Sequence, residues 1–268
     1  MWKQFFRQKP ILIISRCSIS SLSNDLIRKR IIPYVDKTNY VNELSQTLPK
    51  LESYRRAAIL LPIYYNEKTN RVEILVLQRS NKVRSHTGMI VFPGGICDLT
   101  DRDVIHTAQR EAEEEIGLKS EHYSILGCLP PTIDSRAVIV APVIALLHSP
   151  KFTDYCLAVD EIINAFYVDL EQFLYKKNNH KILDVGDHFV THHFYIDKYH
   201  IWGITAYELI TLAAIVFQQL PEFPFFRHGV HFDLKRLSEQ LKMHFKLYVS
   251  YEKKAELELQ LNKIGGLK

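Results

Sequence analysis

The 268-residue chain is 47% hydrophobic, enough to build one large single domain or a domain with extensions. Its 34 basic and 30 acidic side chains leave a net charge of +4, which marks no nucleic-acid-binding stripe and no acidic tail. Four cysteines, Cys17, Cys97, Cys128 and Cys156, form no C-x-x-C pair, so they suggest neither a zinc site nor a disulfide framework, and a reducing compartment is the simpler reading.

The first 24 residues, MWKQFFRQKPILIISRCSISSLSN, carry Lys3, Arg7, Lys9 and Arg16, are rich in serine and hold no acid before Asp25. That make-up resembles a mitochondrial presequence and predicts the mitochondrial matrix, although Pro10 interrupts any amphipathic helix there and an N-terminus without targeting meaning is the alternative. Residues 25–54 read as a polar helical or loop lead-in rather than a core element. Two apolar runs then follow, Ala57 to Tyr65 and Val72 to Leu77, separated by the turn-like Asn-Glu-Lys-Thr-Asn, and predict a β-hairpin. MIVFPGG is a further β-rich run, ended by Gly94 and Gly95 where the chain can turn sharply.

A helix is predicted from about Asp101 to Ile116. Thr100 and Asp103 have capping-box spacing, and Val104, Ile105, Ala108, Ala112 and Ile116 recur at helical intervals before Gly117 supplies a stop. Downstream, YSILGCLPP, AVIVAPVIALLH, EIINAFYVDL and HHFYID read as strands and LEQFLY as a short helix. GITAYELITLAAIVFQQL reads as a strong amphipathic helix, and the stretch from Ser250 onward as a frayed one. The longest apolar run, Ala137 to Leu147, is shorter than the roughly 20 residues a bilayer span needs, so no membrane span is expected. Strands interleaved with helices give a mixed α/β class, with a main domain at 55–220 and a C-terminal extension at 221–268.

The predicted first long helix holds four glutamates, Glu111, Glu113, Glu114 and Glu115, within five positions. On a helix Glu111, Glu114 and Glu115 share a side, whereas Glu113 points away. A solvated helix face is the ordinary reading of such a run. Against it stand the apolar stripe beside the carboxylates, the double glycine ahead of them and Arg110 immediately before. Hard cations such as Mg²⁺ prefer oxygen ligands and take one or two carboxylates plus substrate phosphates, so a metal bound to a phosphorylated substrate accounts for the charge.

The same stretch resembles the Nudix box, G, five residues, E, seven residues, REUxEExGU, with U a bulky aliphatic residue. Gly95 takes the glycine and Arg110 to Leu118, REAEEEIGL, match the end, with Ala112 at the first U. Asp101 replaces the first glutamate, and eight residues rather than seven separate it from Arg110. That variant, together with LQRSNKVRSHTGMIVFPGG upstream (Arg79, Ser80, Arg84, Gly88, Phe92, Pro93, Gly94, Gly95) and IWGITA from Ile201 to Ala206, is similar to the coenzyme A diphosphatase branch of the family.

The resemblance implies a Nudix fold, an α/β/α sandwich around a mixed sheet with a loop–helix–loop motif, and Mg²⁺- or Mn²⁺-dependent hydrolysis of coenzyme A or acyl-CoA to 3′,5′-ADP and a 4′-phosphopantetheine product. It implies Glu111 and Glu115 as metal ligands, with Glu114 bound directly or through water, and Arg110 orienting them through Asp101 or Glu114. The general base stays open between Glu115 and Glu161. Arg79, Arg84 and His86 are expected at the substrate phosphates beside Gly94 and Gly95, since the arginine fork suits such groups. Hydrolysis of ADP-ribose, NADH or an oxidised nucleotide, and a non-catalytic nucleotide-binding role, are the rival functions; the branch also has peroxisomal members, which makes the peroxisome, with the cytosol, the alternative location. No nucleic-acid partner is expected. His188, His192, His193 and His200 are read as core or surface residues rather than metal ligands, because neighbours on a strand face opposite ways.

Overall fold

The expected hairpin is present: β1 (Arg56–Asn66) and β2 (Arg71–Arg79) pair antiparallel, with Asn66 opposite Arg71 and Ile63 opposite Ile74. Its turn is closed by Asn66, whose side-chain oxygen accepts from the N–H groups of Lys68 and Thr69, and by Asn70 in the left-handed region at φ 53°. The computed structural model describes residues 22–36, 54–80, 87–149, 156–176, 179–185, 189–226 and 232–250. The presequence-like segment as far as residue 21, the basic residues Lys82, Arg84 and His86, and the tail beyond residue 250 lie outside the described residues.

On its other side β1 runs parallel to β7 (Ile139–Leu147), every residue of which is buried. A continuous apolar run is what a strand covered on both faces requires. β5 (Tyr123–Cys128) and β6 (Thr132–Ile133) pair with β7, β4 (Gly94–Ile96) pairs with β1, and β3 (Ile90–Val91) and β8 (Ile162–Asp169) pair with β2, all antiparallel. The result is one mixed eight-stranded sheet.

Alternation along the strands sorts the core into two layers. Leu60, Leu75 and Leu77 pack on one face with Ala108, Ala112 and Ile116 of α2 (Val104–Ile116), while Leu61, Ile74 and Val76 pack on the other with Leu209, Leu212 and Val216 of α3 (Gly203–Phe217). Helix, sheet and helix form the α/β/α sandwich.

Several elements depart from the sequence expectations. α2 begins at Val104 rather than Asp101, because Asp103 is its N-cap, accepting the His106 N–H at 2.8 Å. The lead-in is not outside the core. It contributes α1 (Asn24–Ile31), whose Ile27 and Ile31, four apart, are fully buried against the α3 layer, while Arg30 donates to the Val216 carbonyl at 2.6 Å. α3 is not amphipathic, since Glu208 to Val216 is buried without a break between the sheet, α1 and the 3₁₀ turn Leu170–Leu174. A second, three-stranded sheet sets β9 (His180–Val185) and β11 (Tyr199–Trp202), both absent from the sequence reading, on either side of β10 (Phe189–Ile196). Phe223, Phe225 and Phe226 join the α3 core, as do Leu237 and Leu241 of a C-terminal helical segment at 237–250. No described helix is long and apolar enough to cross a membrane.

The histidines of β10 are both inside, His192 2% and His193 7% exposed. His192 Nε2 donates to the Phe225 carbonyl at 3.0 Å, so its Nδ1 carries the lone pair that accepts from His180 Nε2 at 3.1 Å. Burial holds both imidazoles neutral, down at about 4. A group whose pKa falls on folding stabilises the fold only while it is neutral in both states. Stability is therefore complete above about pH 6.5 and drops by several kcal/mol as pH falls toward 4 and the rings are forced to charge. Urea unfolding at pH 7.5 and pH 5 measures the loss, and His192→Gln reduces it; an undiminished pH dependence in that variant sinks the assignment.

Candidate active site

β4 and α2 are tied together by the glycine pair. Gly94 sits at φ 154° with its N–H donating to Glu115 Oε2 at 3.0 Å, and a Cβ there would strike the Ala58 carbonyl of β1 and lie 2.7 Å from Ile59 Cα. A Cβ on Gly95 would enter the space held by the Glu111 carboxylate. Glycine is needed at Gly94, where the neighbour is backbone, whereas a side chain at Gly95 would push the Glu111 carboxylate out of its place. Gly94→Ala is expected to cost about 3 kcal/mol or more, read as a fall in thermal midpoint, because the clash is with rigid backbone.

Arg110 organises the exposed side of the box. Its Nε and Nη2 reach Asp101 Oδ1 and Oδ2 at 3.0 and 2.9 Å, and its Nη1 reaches Glu111 Oε1 and Glu114 Oε2, each at 2.9 Å. Nη2 also approaches the Ile96 carbonyl at 3.3 Å. Asp101, the residue in place of a glutamate, has a side chain only 2% exposed that accepts in addition from Thr107 Oγ1, His106 Nδ1 and the Asp98 N–H. Arg110 foremost among these holds its carboxyl well below the usual carboxylate range. Both oxygens are consumed in bracing the loop before α2 against the helix.

Glu115 faces inward from α2, 4% exposed at its side chain, with Glu111 17% and Glu114 59% exposed, so the three form a graded series from core to solvent. Glu113 is exposed. Glu115 Oε1 receives Arg79 Nη1 from the end of β2 at 3.2 Å. Arg79 Nη2 lies 3.9 Å from Oε2 of Glu161, which is more than half exposed. The turn carrying Glu161 is docked on α2, its Ala158 N–H donating to the Glu115 carbonyl at 2.9 Å. Burial pushes the Glu115 carboxyl up to about 8 and also raises that of Glu111, and the neighbouring carboxylates add to both in the same direction.

Of the predicted site residues, Arg79, Gly94, Gly95, Arg110, Glu111, Glu114, Glu115 and Glu161 meet around one end of α2, and Arg84 and His86 fall outside the described residues. A cavity of about 300 Å³ lies at the end of β2, lined in part by Gln78, Ile90, Lys198, Tyr199, His200 and Trp202, with Ile90 and Tyr199 belonging to the α3 layer. Its walls are fixed by stacking, Tyr199 on Phe166 at 4.1 Å and His200 on Tyr195 at 4.6 Å. Both sequence motifs contribute to the cavity, Trp202 from IWGITA and Gln78, Gly88 and Ile90 from LQRSNKVRSHTGMIVFPGG.

The NUDIX domain family profile matches residues 53–189, just over half the chain and all of the box. The chain belongs to the Nudix family. A relative from Caenorhabditis elegans, named peroxisomal coenzyme A diphosphatase ndx-8, is 30% identical over 198 residues, covering 73% of this chain and 83% of that protein. An uncharacterized Nudix hydrolase NudL of Photorhabdus laumondii is 34% identical over 187 residues, 67% of this chain and 97% of that one. Among solved structures, a MutT/nudix family protein from Enterococcus faecalis is 16% identical, with a TM-score of 0.39 over 85% of this chain and 95% of that one.

This Nudix protein is a hydrolase, and Nudix hydrolases use divalent metal ions. The donor set here fits such an ion. It is all carboxylate oxygen, as a hard cation prefers, and Glu115 is buried among more negative than positive groups. Among the described residues no three metal-ligating side chains already converge, Glu111 and Glu114 being bonded to Arg110 and Glu115 to Arg79.

Proposed function

We propose that the chain hydrolyses the diphosphate bond of coenzyme A or acyl-CoA, giving 3′,5′-ADP and (acyl-)4′-phosphopantetheine, with Mg²⁺ or Mn²⁺. The observation that carries the substrate is the identity to the worm protein named a coenzyme A diphosphatase, which extends over 83% of that relative. The motif LQRSNKVRSHTGMIVFPGG points the same way, and its Arg79 and Gly94 both bond to Glu115 of the box.

In this reading Glu111 and Glu115 hold the metal, with Glu114 direct or through water. A bound divalent cation neutralises diphosphate charge, positions an attacking water and lowers its pKa. Arg110 keeps Glu111 and Glu114 in register by gripping both while anchored on Asp101. Gly94 and Gly95 leave the carboxylates room against β4. Glu161, across Arg79 from Glu115, would be the general base, and Glu115 is the other candidate. The cavity beside β2 offers aromatic faces and the Lys198 ammonium to the remainder of the substrate. Arg84 and His86 retain their proposed place at the phosphates.

Product analysis by mass spectrometry tests the proposal. Purified protein with Mg²⁺ or Mn²⁺ is given coenzyme A, ADP-ribose, NADH and 8-oxo-dGTP side by side. Release of 3′,5′-ADP from coenzyme A supports it. Cleavage of a different compound keeps the diphosphatase chemistry and discards the substrate, and no cleavage of any returns the chain to a binding role. For location, the relative's name supports the peroxisome, while the mitochondrial matrix rests on N-terminal composition alone. A reporter fused to residues 1–30 tests the matrix, and a diffuse cytosolic signal counts against it.

A further inference from the structure

The two arginines of the site are used differently. Arg110 is saturated: Nε, Nη1 and Nη2 all donate to oxygens of Asp101, Glu111, Glu114 and Ile96. Arg79 is half used. One Nη bonds to Glu115 at 3.2 Å, the other stands off Glu161 at 3.9 Å, beyond hydrogen-bonding reach, and Nε–H is buried with no acceptor among the described residues. A guanidinium offers five N–H donors in a rigid fork, and its Nε–Nη edge, like its Nη–Nη end, can grip a carboxylate or phosphate with two parallel bonds. In Arg79 that edge lacks a complete partner.

Position sharpens the contrast. Arg79 ends β2 on the α2 side of the sheet, in step with Leu75 and Leu77, and its side chain is 17% exposed. Its charge lies between Glu115 of α2 and Glu161 of the turn before β8, the two carboxylates proposed here to serve the metal and its water. A protein cation in that place cancels the repulsion between them, which a bound divalent ion would otherwise do. The buried Nε–H is a donor waiting for an oxygen that the described residues do not supply.

We propose that Arg79 is a displaceable counter-cation: without metal it neutralises Glu115 and Glu161, and when a divalent ion binds at Glu115 its guanidinium is released to a phosphate oxygen of the substrate. Metal loading and phosphate capture are thereby coupled through one side chain, while Arg110 stays fixed. The inference rests on the proposed metal site but not on coenzyme A as the substrate.

The test is direct Mn²⁺ binding to the full chain without substrate, followed by the EPR signal of free Mn²⁺. Arg79→Gln is expected to bind Mn²⁺ about tenfold more tightly than wild type, because a competing charge is gone, and Arg79→Lys to stay within about threefold of wild type because the charge is kept. An Arg79 that only props Glu115 in place would give the opposite sign, so unchanged or weaker binding in Arg79→Gln overturns the proposal while leaving the metal site standing. Mn²⁺ binding to none of the proteins removes the metal site and the proposal together. Should Arg79→Gln not fold, the wild type decides. In ¹⁵N-labelled protein the Arg79 Nε–H resonance, assigned by its loss in Arg79→Lys, shifts in proportion to Mg²⁺ saturation if the side chain is displaced, and a resonance that stays put through saturation overturns the idea. Neither measurement contains coenzyme A, so failure to cleave that compound leaves both interpretable.

Discussion

Glu115→Gln is expected to lower turnover by about 10³-fold, roughly 4 kcal/mol of transition-state stabilisation, while leaving the protein folded. The amide keeps the volume of the carboxylate, and its oxygen can still accept the Gly94 N–H that ties β4 to α2. What it loses is the negative charge, and with it the most enclosed of the proposed metal ligands, 4% exposed at its side chain. Burial pushes the Glu115 carboxyl up to about 8 despite Arg79 and the Gly94 N–H, so the fold disfavours its ionised form and a neutral amide should leave the thermal midpoint level or higher as activity falls. A variant that is inactive and less stable would point to a scaffolding role, and one with near-normal turnover would move the metal off Glu115. Glu161→Gln distinguishes the two candidate bases in the same assay, since a side chain more than half exposed can lose its charge without disturbing the fold.

How far the site could be read from the chain depended on how local its geometry is. The glutamates, Arg110 and Gly117 fall within eight residues of one another on or just past α2, and helical periodicity alone places them. The bond between Arg79 and Glu115 spans 36 residues and depends on where β2 ends relative to α2, which no local pattern states; only the resemblance drew attention to Arg79. The cavity beside β2 draws on both quoted motifs, but that they meet is not local information, since Gln78 and Trp202 come together only once β11 has folded back beside β3. In the fold, β1, β2 and β7 announced themselves as apolar runs because both faces of the sheet are covered. α1 did not, because its two core residues, Ile27 and Ile31, are set among Arg28, Lys29 and Arg30. α3 misled in the opposite sense. Glu208, Thr205 and Thr211 gave it a polar side in sequence, yet all three are buried, Glu208 with one carboxylate oxygen unpartnered among the described residues.

Arg110→Met is expected to destabilise the protein by about 3–5 kcal/mol, because it strands a buried anion rather than deleting a surface pair. The Asp101 side chain is 2% exposed and takes two of its hydrogen bonds from Arg110 as a fork; without them its charge keeps only Thr107, His106 and the Asp98 N–H. The sign of the pH dependence follows from the depressed carboxyl. A carboxyl held below its unfolded value contributes its full stabilisation above about pH 4 and loses it only as acid protonates it, so the wild-type advantage over Arg110→Met is flat between pH 5 and 8 and narrows below that range. Denaturant unfolding of both proteins across that range measures it. Adding Asp101→Asn to Arg110→Met should recover part of the loss, since the neutral amide no longer needs the guanidinium, and a coupling of about 0.5–3 kcal/mol in that double-mutant cycle would mark the pair as one unit. Strict additivity would mean that Arg110 acts through Glu111 and Glu114 instead. In that case the damage would appear in turnover more than in stability, because Glu114 is mostly exposed and its loss of a partner costs the fold little.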